Sequence, residues 1–268
     1  MSHTQKDTTR QSNTVSKTSF LDAQAKQGRE RKQQIYRLMD VQSGQRVLDV
    51  GSGPGTDTLP LGQLVGPTGQ VVGVDRDDPM IAEANHRASE AGVGAWVEHR
   101  LADASSLPFV NDTFDVCHAE RLFMHLPNPE DVFAEMVRVT KPGGWLAVID
   151  ADWASGSMDT AEIDVERRLS RFVAEVHTNP YGGRRLYRFF KQHNMTDISI
   201  DVEAEVVTNL AAVRYIAVLD EREEMAVRAG VITRDELERF RADLEETDKI
   251  GAFYASLNRV TIVARKPH

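Results

Sequence analysis

A short apolar run that ends abruptly in clustered glycines constrains this chain most. Arg46-Val47-Leu48-Asp49-Val50 reads as a buried strand, and Gly51-Ser52-Gly53-Pro54-Gly55 stops it at once. Glycine turns a backbone tightly and lets a ligand approach it closely, and a helix opening next presents unpaired backbone N–H groups. Comparable apolar runs recur at 70–75, 96–101, 114–118 and 145–150, with helical stretches between them. Met80, Ala84, Ala88 and Ala91 line one helical face, and Val132, Phe133, Met136 and Val137 line another. Asn128, Pro129, Glu130 and Asp131 are start signals for that second helix, and Lys141-Pro142-Gly143-Gly144 stops it. Short strands alternating with helices predict βαβ units and a parallel sheet.

The pattern changes in the last third of the chain. Residues 198–206 alternate strictly, with Ile198, Ile200, Val202, Ala204 and Val206 on one face, and 260–264 close the chain as another strand. Helical insertions over 159–193 and 210–248 separate these late strands and predict a lid or cap. At the other end, Ile35, Leu38 and Met39 share one face of an amphipathic helix over 21–39. Residues 1–18 are almost all polar and predict a flexible tail, so that 19–268 form one α/β domain.

Composition narrows the classes of function. The 268 residues contain a single cysteine, Cys117, which excludes an intrachain disulfide framework and a cysteine-based zinc site. No run approaches the roughly 18 apolar residues of a membrane span, and the N-terminal residues lack the apolar core of a secretory leader. A cytoplasmic protein is expected. The net charge of −9 argues against broad nucleic-acid binding, although residues 1–37 carry eight Lys and Arg against three Asp and Glu.

In open parallel sheets, ligands bind beyond the carboxyl ends of the strands. A dinucleotide loop there needs Gly-x-Gly-x-x-Gly, whereas the third glycine here comes one position early and Thr56 stands in its place. Asp49, two residues before Gly51, repels a pyrophosphate and favours a cationic ligand. Asp75 ends the second strand, where a carboxylate accepts from ribose hydroxyls, and Arg76 follows it. Met80 offers a soft apolar surface to a base, and Asp103, followed by Ala104, offers an acceptor for an exocyclic amine. The set points to a nucleoside without phosphates and away from NAD.

These segments resemble the motifs of class I S-adenosylmethionine-dependent methyltransferases. Val47-Leu48-Asp49-Val50-Gly51-Ser52-Gly53-Pro54-Gly55 is similar to the first motif, and Val72-Gly73-Val74-Asp75 to the second. Leu101-Ala102-Asp103-Ala104, Phe114-Asp115-Val116-Cys117-His118 and the 139–144 segment resemble the rest. The nearest flavour is the small-molecule branch that includes ubiquinone/menaquinone-biosynthesis enzymes. The resemblance covers about 35–152 well and implies a Rossmann-like, doubly wound seven-stranded sheet of order 3-2-1-4-5-7-6 with the last strand antiparallel. It implies S-adenosylmethionine as cofactor, with Gly51, Ser52, Gly53 and Gly55 facing its methionine part, Asp49 near the ammonium, Asp75 at the ribose and Asp103 at the adenine amine. His118 is expected to meet the cofactor through its backbone. Pro60, about one turn past the loop, predicts a late or bent start to the next helix.

Methyl transfer from a sulfonium is an in-line displacement, so the protein must hold acceptor and methyl close and aligned. A base is needed only where the acceptor carbon, oxygen or nitrogen must lose a proton. His125 matches a histidine that phosphoethanolamine methyltransferases use with a tyrosine, and Tyr36 is a candidate partner; a packed turn histidine is the alternative. Cys117 reads as strand packing, Glu120 and Arg121 as a solvated pair or an acceptor contact, and Arg184 and Arg185 as helix-end or solvent-facing cations or as a site for an acidic substrate. No metal is expected, nor a nucleic-acid partner: His118-Ala119-Glu120-Arg121 stands where amino-directed base methylases carry Asn/Asp-Pro-Pro-Tyr/Phe. The acceptor is expected to be a small molecule. Two rival functions remain at this point, a silent cofactor-binding sensor or scaffold and an NAD-dependent oxidoreductase.

Overall fold

A computed structural model describes residues 28–268. The polar tail and the first part of the 21–39 helix lie outside the described residues; the helix is followed from Arg29 to Leu38 (α1). The strands are β1 (Arg46–Val50), β2 (Gln70–Asp75), β3 (Val97–Leu101), β4 (Phe114–Glu120), β5 (Thr140–Met158), β6 (Thr196–Val207) and β7 (Ala255–Arg265). Between them run α2 (Thr58–Val65), α3 (Asp78–Glu90), α4 (Pro129–Val139), α5 (Ile163–Glu175), α6 (Gly182–Gln192), α7 (Leu210–Ile216), α8 (Leu219–Arg228) and α9 (Arg234–Lys249). The sheet order is β3-β2-β1-β4-β5-β7-β6. Pairs within β1–β5 are parallel, and β7 runs antiparallel to both β5 and β6. This is the expected doubly wound order.

Strand periodicity explains how one sheet makes two cores. Side chains alternate faces along a strand, so Leu48, Val72, Cys117, Leu146 and Ile262 pack on one side with Phe133 of α4 and Phe190 of α6. Their neighbours Val47, Val71, Val116, Ala147 and Val263 pack on the other with Ile35 of α1, Leu61 of α2 and Ala88 of α3. The runs are apolar throughout because both faces are covered. Each fully buried Phe or Leu contributes roughly 1.5–3 kcal/mol. A third cluster, with Leu169, Leu237, Phe240 and Phe253, holds α5 and α7–α9 together.

Several boundaries differ from the sequence reading. β5 extends far beyond 145–150 because β7 supplies an antiparallel partner out to Met158↔Ala255. β6 is an edge strand, and its alternating apolar residues are largely uncovered, with Ile200 at 48% and Val202 at 55% exposure. α2 starts late, at Thr58, which puts Pro60 in the first turn where its missing N–H is harmless. Asn128 occupies the cap position of α4 but its side chain makes no capping hydrogen bond. Among the described residues no helix is long and apolar enough to cross a membrane.

Candidate functional site

The carboxyl ends of β1, β2 and β4 open onto a cleft of two adjoining lobes, about 200 and 320 Å3, which share Gly51, Asp75 and Arg121. The glycine loop forms one wall because its backbone is left-handed at Gly51 (φ 76°) and Gly55 (φ 81°). The N–H groups of Gly51 and Ser52 both donate to the Val74 carbonyl, at 2.8 and 3.0 Å. Asp75 then ties the loop down: its carboxylate accepts from the N–H of Gly53 and of Asp77, each at 2.9 Å. Space behind the loop is tight. A Cβ on Gly73 would lie 2.5 Å from His99 Cδ2 and 2.7 Å from Ser52 Oγ.

The predicted site residues fall into two groups. Asp49, Ser52, Gly53 and Met80 line the smaller lobe, and Arg76, Asp103, Ala104 and His125 the larger. The buried Ser52 hydroxyl has no hydrogen-bond partner. Gly55 and His118 line neither lobe. Gly55 serves packing, since a Cβ there would press on Thr58 Oγ1, His99 and Ala84. His118 is 1% exposed, and its Nδ1 lies 2.8 Å from Asp49 Oδ1. Burial disfavours its charge, but the Asp49 carboxylate overrides this and raises the imidazole pKa. His118 thus holds one oxygen of Asp49, which itself lines the smaller lobe.

Asp103 is exposed at the rim of the larger lobe. Its Oδ1 accepts from Ser105 N–H and Oγ, both at 2.8 Å, and these bonds hold its pKa below the usual carboxylate value. One oxygen remains for a ligand. His125 sits on a single 3₁₀ turn, Phe123–His125, held from beneath by Asp150, whose Oδ2 accepts from Met124 N–H at 3.1 Å. Asn179 grips the same turn by its N–H to the Met124 carbonyl (3.0 Å) and its Nδ2 to the Phe123 carbonyl (3.2 Å). Burial pushes the Asp150 carboxyl up to about 7 against the backbone N–H donors of Met124 and Ala151. Partial cover, then the charges of Arg76 and Arg121, lower the His125 pKa. The ring is therefore neutral at pH 7 and able to accept a proton.

The sequence reading missed a buried ionic cluster at the smaller lobe. Lys32 of α1, 6% exposed, places its Nζ 2.6 Å from Asp57 and 2.8 Å from Glu120. Tyr36 donates its hydroxyl to Asp57 at 2.5 Å. Two expectations are corrected here: Tyr36 is committed to Asp57 and not to His125, and Glu120 pairs with Lys32 and not with Arg121. Burial opposes ionisation of Asp57, but Lys32, with His118 and the Tyr36 hydroxyl, more than compensates and takes its pKa down to about 2. Asp57, His118 and Glu120 have the spacing of a metal-ligand trio, yet the lysine ammonium already supplies the cation between the two carboxylates. The one sequence signal was an acid two residues past the loop; nothing local pairs it with a helix before β1. Elsewhere Cys117 is wholly buried, and Arg184 pairs with Asp152 at 2.6 Å.

The cleft suits an adenosine-bearing sulfonium: an orphaned hydroxyl, acids at the ends of β1, β2 and β3, and a tight glycine wall. Comparison with known proteins agrees with that chemistry. A methyltransferase-domain family model matches residues 41–207. The chain is 40% identical over 113 residues to the ubiquinone/menaquinone biosynthesis C-methyltransferase UbiE of Pseudomonas fluorescens, covering 42% of this chain and 44% of UbiE. Methyltransferase GfsG of Streptomyces halstedii is 36% identical over 132 residues, 49% of this chain and 47% of its own. The chain thus spans about half the length of these relatives. Among solved structures, the YcgJ protein of Bacillus subtilis shares the fold at a TM-score of 0.60 and 19% identity, over 88% of this chain and 98% of YcgJ. The chain belongs to the methyltransferase-domain family, with the fold of its class I S-adenosylmethionine-dependent members.

Proposed function

We propose that the protein transfers a methyl group from S-adenosylmethionine to the carbon, oxygen or nitrogen of a small-molecule acceptor. The observation that carries this reading is the Asp75 carboxylate, which clamps the glycine loop and lines both lobes of the cleft. S-adenosylmethionine supplies an electrophilic methyl on a cationic sulfur. Each Asp75 oxygen accepts one backbone N–H and keeps capacity for a ribose hydroxyl. Asp103 offers its remaining oxygen to the adenine amine, Met80 its thioether to the ring, and Ser52 its free hydroxyl to the methionine part. Arg121, shared by the lobes, supplies positive charge for the methionine carboxylate.

Catalysis then rests on positioning. The turn that carries His125 is held from two sides by Asp150 and Asn179, so the imidazole has a fixed place at the larger lobe. There it takes the proton from an acceptor that must lose one. The UbiE relative is a C-methyltransferase of quinone biosynthesis, which favours a carbon acceptor on a ring of that kind. Titration calorimetry with S-adenosylmethionine, S-adenosylhomocysteine and NAD tests the reading. Micromolar binding of both sulfur nucleosides and none of NAD is expected; absence of sulfur-nucleoside binding would overturn it. Turnover of any acceptor separates an enzyme from a silent binder.

A further inference from the structure

A second cavity, about 400 Å3, lies beyond the same edge of the sheet, between the ends of β6 and β7 and the cap helix α7. Its volume is within the usual range for small-molecule sites. Val173, Val206, Val213, Ile216 and Leu257 give it an apolar body. At one side stand four charged residues, Arg31, Glu203, Glu205 and Arg259. Arg31 Nη1 is 3.3 Å from Glu203 and 3.8 Å from Glu205, and Arg259 also pairs with Glu205. Two guanidinium groups are thus neutralised by two carboxylates.

The pairing leaves donors over. Arg259 is 6% exposed, and its buried Nη1 has no hydrogen-bond partner; the buried Nε of Arg31 has none either. An unsatisfied buried donor is costly, and both arginines line this one cavity, so the two donors mark a place where a ligand oxygen belongs. Because the charges already balance, that oxygen is favoured as a neutral carbonyl or hydroxyl; a carboxylate would face Glu203 and Glu205.

The cavity and the cleft have no lining residue in common, but two pairs of adjacent residues link them. Adjacent residues of α1 serve both, with Arg31 in the cavity and Lys32 bound to Asp57 and Glu120 at the cleft. Trp153 lines the cavity and donates its indole N–H to Met124 Sδ at 3.3 Å, and Met124 precedes His125 of the larger lobe. His177 stacks on the indole at 4.1 Å and 19° and holds it in place.

We propose that this cavity receives the acceptor, and that the acceptor is a mainly apolar molecule whose neutral oxygen is bound by Arg259. The assignment rests on the methyltransferase reading above for the word acceptor, but the binding itself does not. Equilibrium dialysis of the full chain with three isosteric naphthalenes tests it: 2-acetylnaphthalene (neutral carbonyl), 2-naphthoate (carboxylate) and 2-ethylnaphthalene (no oxygen). The acetyl compound is expected to bind at least about fivefold tighter than the other two. Arg259→Met should erase its advantage over the ethyl compound, since Arg31 remains to face Glu205. Val213→Trp, which fills the cavity, should abolish binding of all three. Tighter binding of the naphthoate would overturn the neutral-oxygen assignment. Equal binding of all three by the native chain, or full binding by Val213→Trp, would overturn the site. S-adenosylhomocysteine calorimetry on the same samples keeps the two readings apart: its loss in the native chain refutes the methyl donor, while unaltered binding in both variants leaves dialysis to judge the cavity alone.

Discussion

Replacing Lys32 by methionine isolates the buried cluster that joins α1 to the glycine loop. The ammonium sits between two carboxylates whose side chains are each 7% exposed, and methionine preserves the apolar stem while removing the charge. Two routes give the magnitude. Asp57 is held at about 2 against an ordinary 3.8, which at about 1.4 kcal/mol per pKa unit corresponds to about 2 kcal/mol of stability at neutral pH. Breaking a buried ion pair by deleting one partner costs about 3–5 kcal/mol, because the other charge stays buried and uncompensated. A loss of about 2–5 kcal/mol at pH 7 follows. The sign of the pH dependence is fixed as well. A carboxylate with a depressed folded pKa stabilises above its unfolded pKa, and that stability is lost as pH falls toward about 2. In the variant the same carboxylate is raised, so its penalty is full at neutral pH and fades as it protonates. The deficit should therefore shrink steadily from pH 7 to pH 4. Urea unfolding of both proteins at pH 7, 5.5 and 4 measures it through midpoint and slope. A deficit under about 1 kcal/mol at pH 7, or one that does not change with pH, would refute a buried and compensated cluster. Asp57→Asn added to Lys32→Met should recover part of the loss.

Three further outcomes are expected. Asp75→Ala should weaken S-adenosylmethionine binding about tenfold, or about 1.4 kcal/mol, because it removes a ligand contact and unclamps Gly53; unchanged calorimetric affinity would sink that role. Gly73→Ala should cost about 1–3 kcal/mol by overpacking, since its Cβ would meet His99 and Ser52; an undiminished Tm would show that the loop yields freely. For an acceptor that must lose a proton, kcat should fall as pH drops through a His125 pKa lying below the ordinary 6.5; persistence of that acid limb in His125→Gln would assign it to another group.

What was legible in the sequence was local. The core strands, the glycine turn and the late start of α2 follow from residue chemistry within a few positions: apolar runs where both faces are covered, glycine where φ is positive, proline in a first turn. Asp75, Asp103 and Met80 were legible because a strand end places whatever follows it at the cleft. The buried pairing of the His118 ring with Asp49 was not legible in this way, since position along the strand does not say against what a ring is buried.

Only the tertiary structure decided which distant groups share one space. Lys32 meets Asp57 across 25 residues, and Arg31 meets Glu203 across 172. No periodicity encodes such pairings, because charge partners are selected by burial and by the packing that brings α1 beside Asp57, Glu120 and Glu203. The length of β5 has the same origin: past an irregularity after Asp152, Ser157 and Met158 become strand because β7 offers them backbone partners in Ser256 and Ala255. Backbone patterning, then, is written along the chain, while the electrostatics of the cleft and the shape of the cavity arise where elements remote in sequence exclude water together.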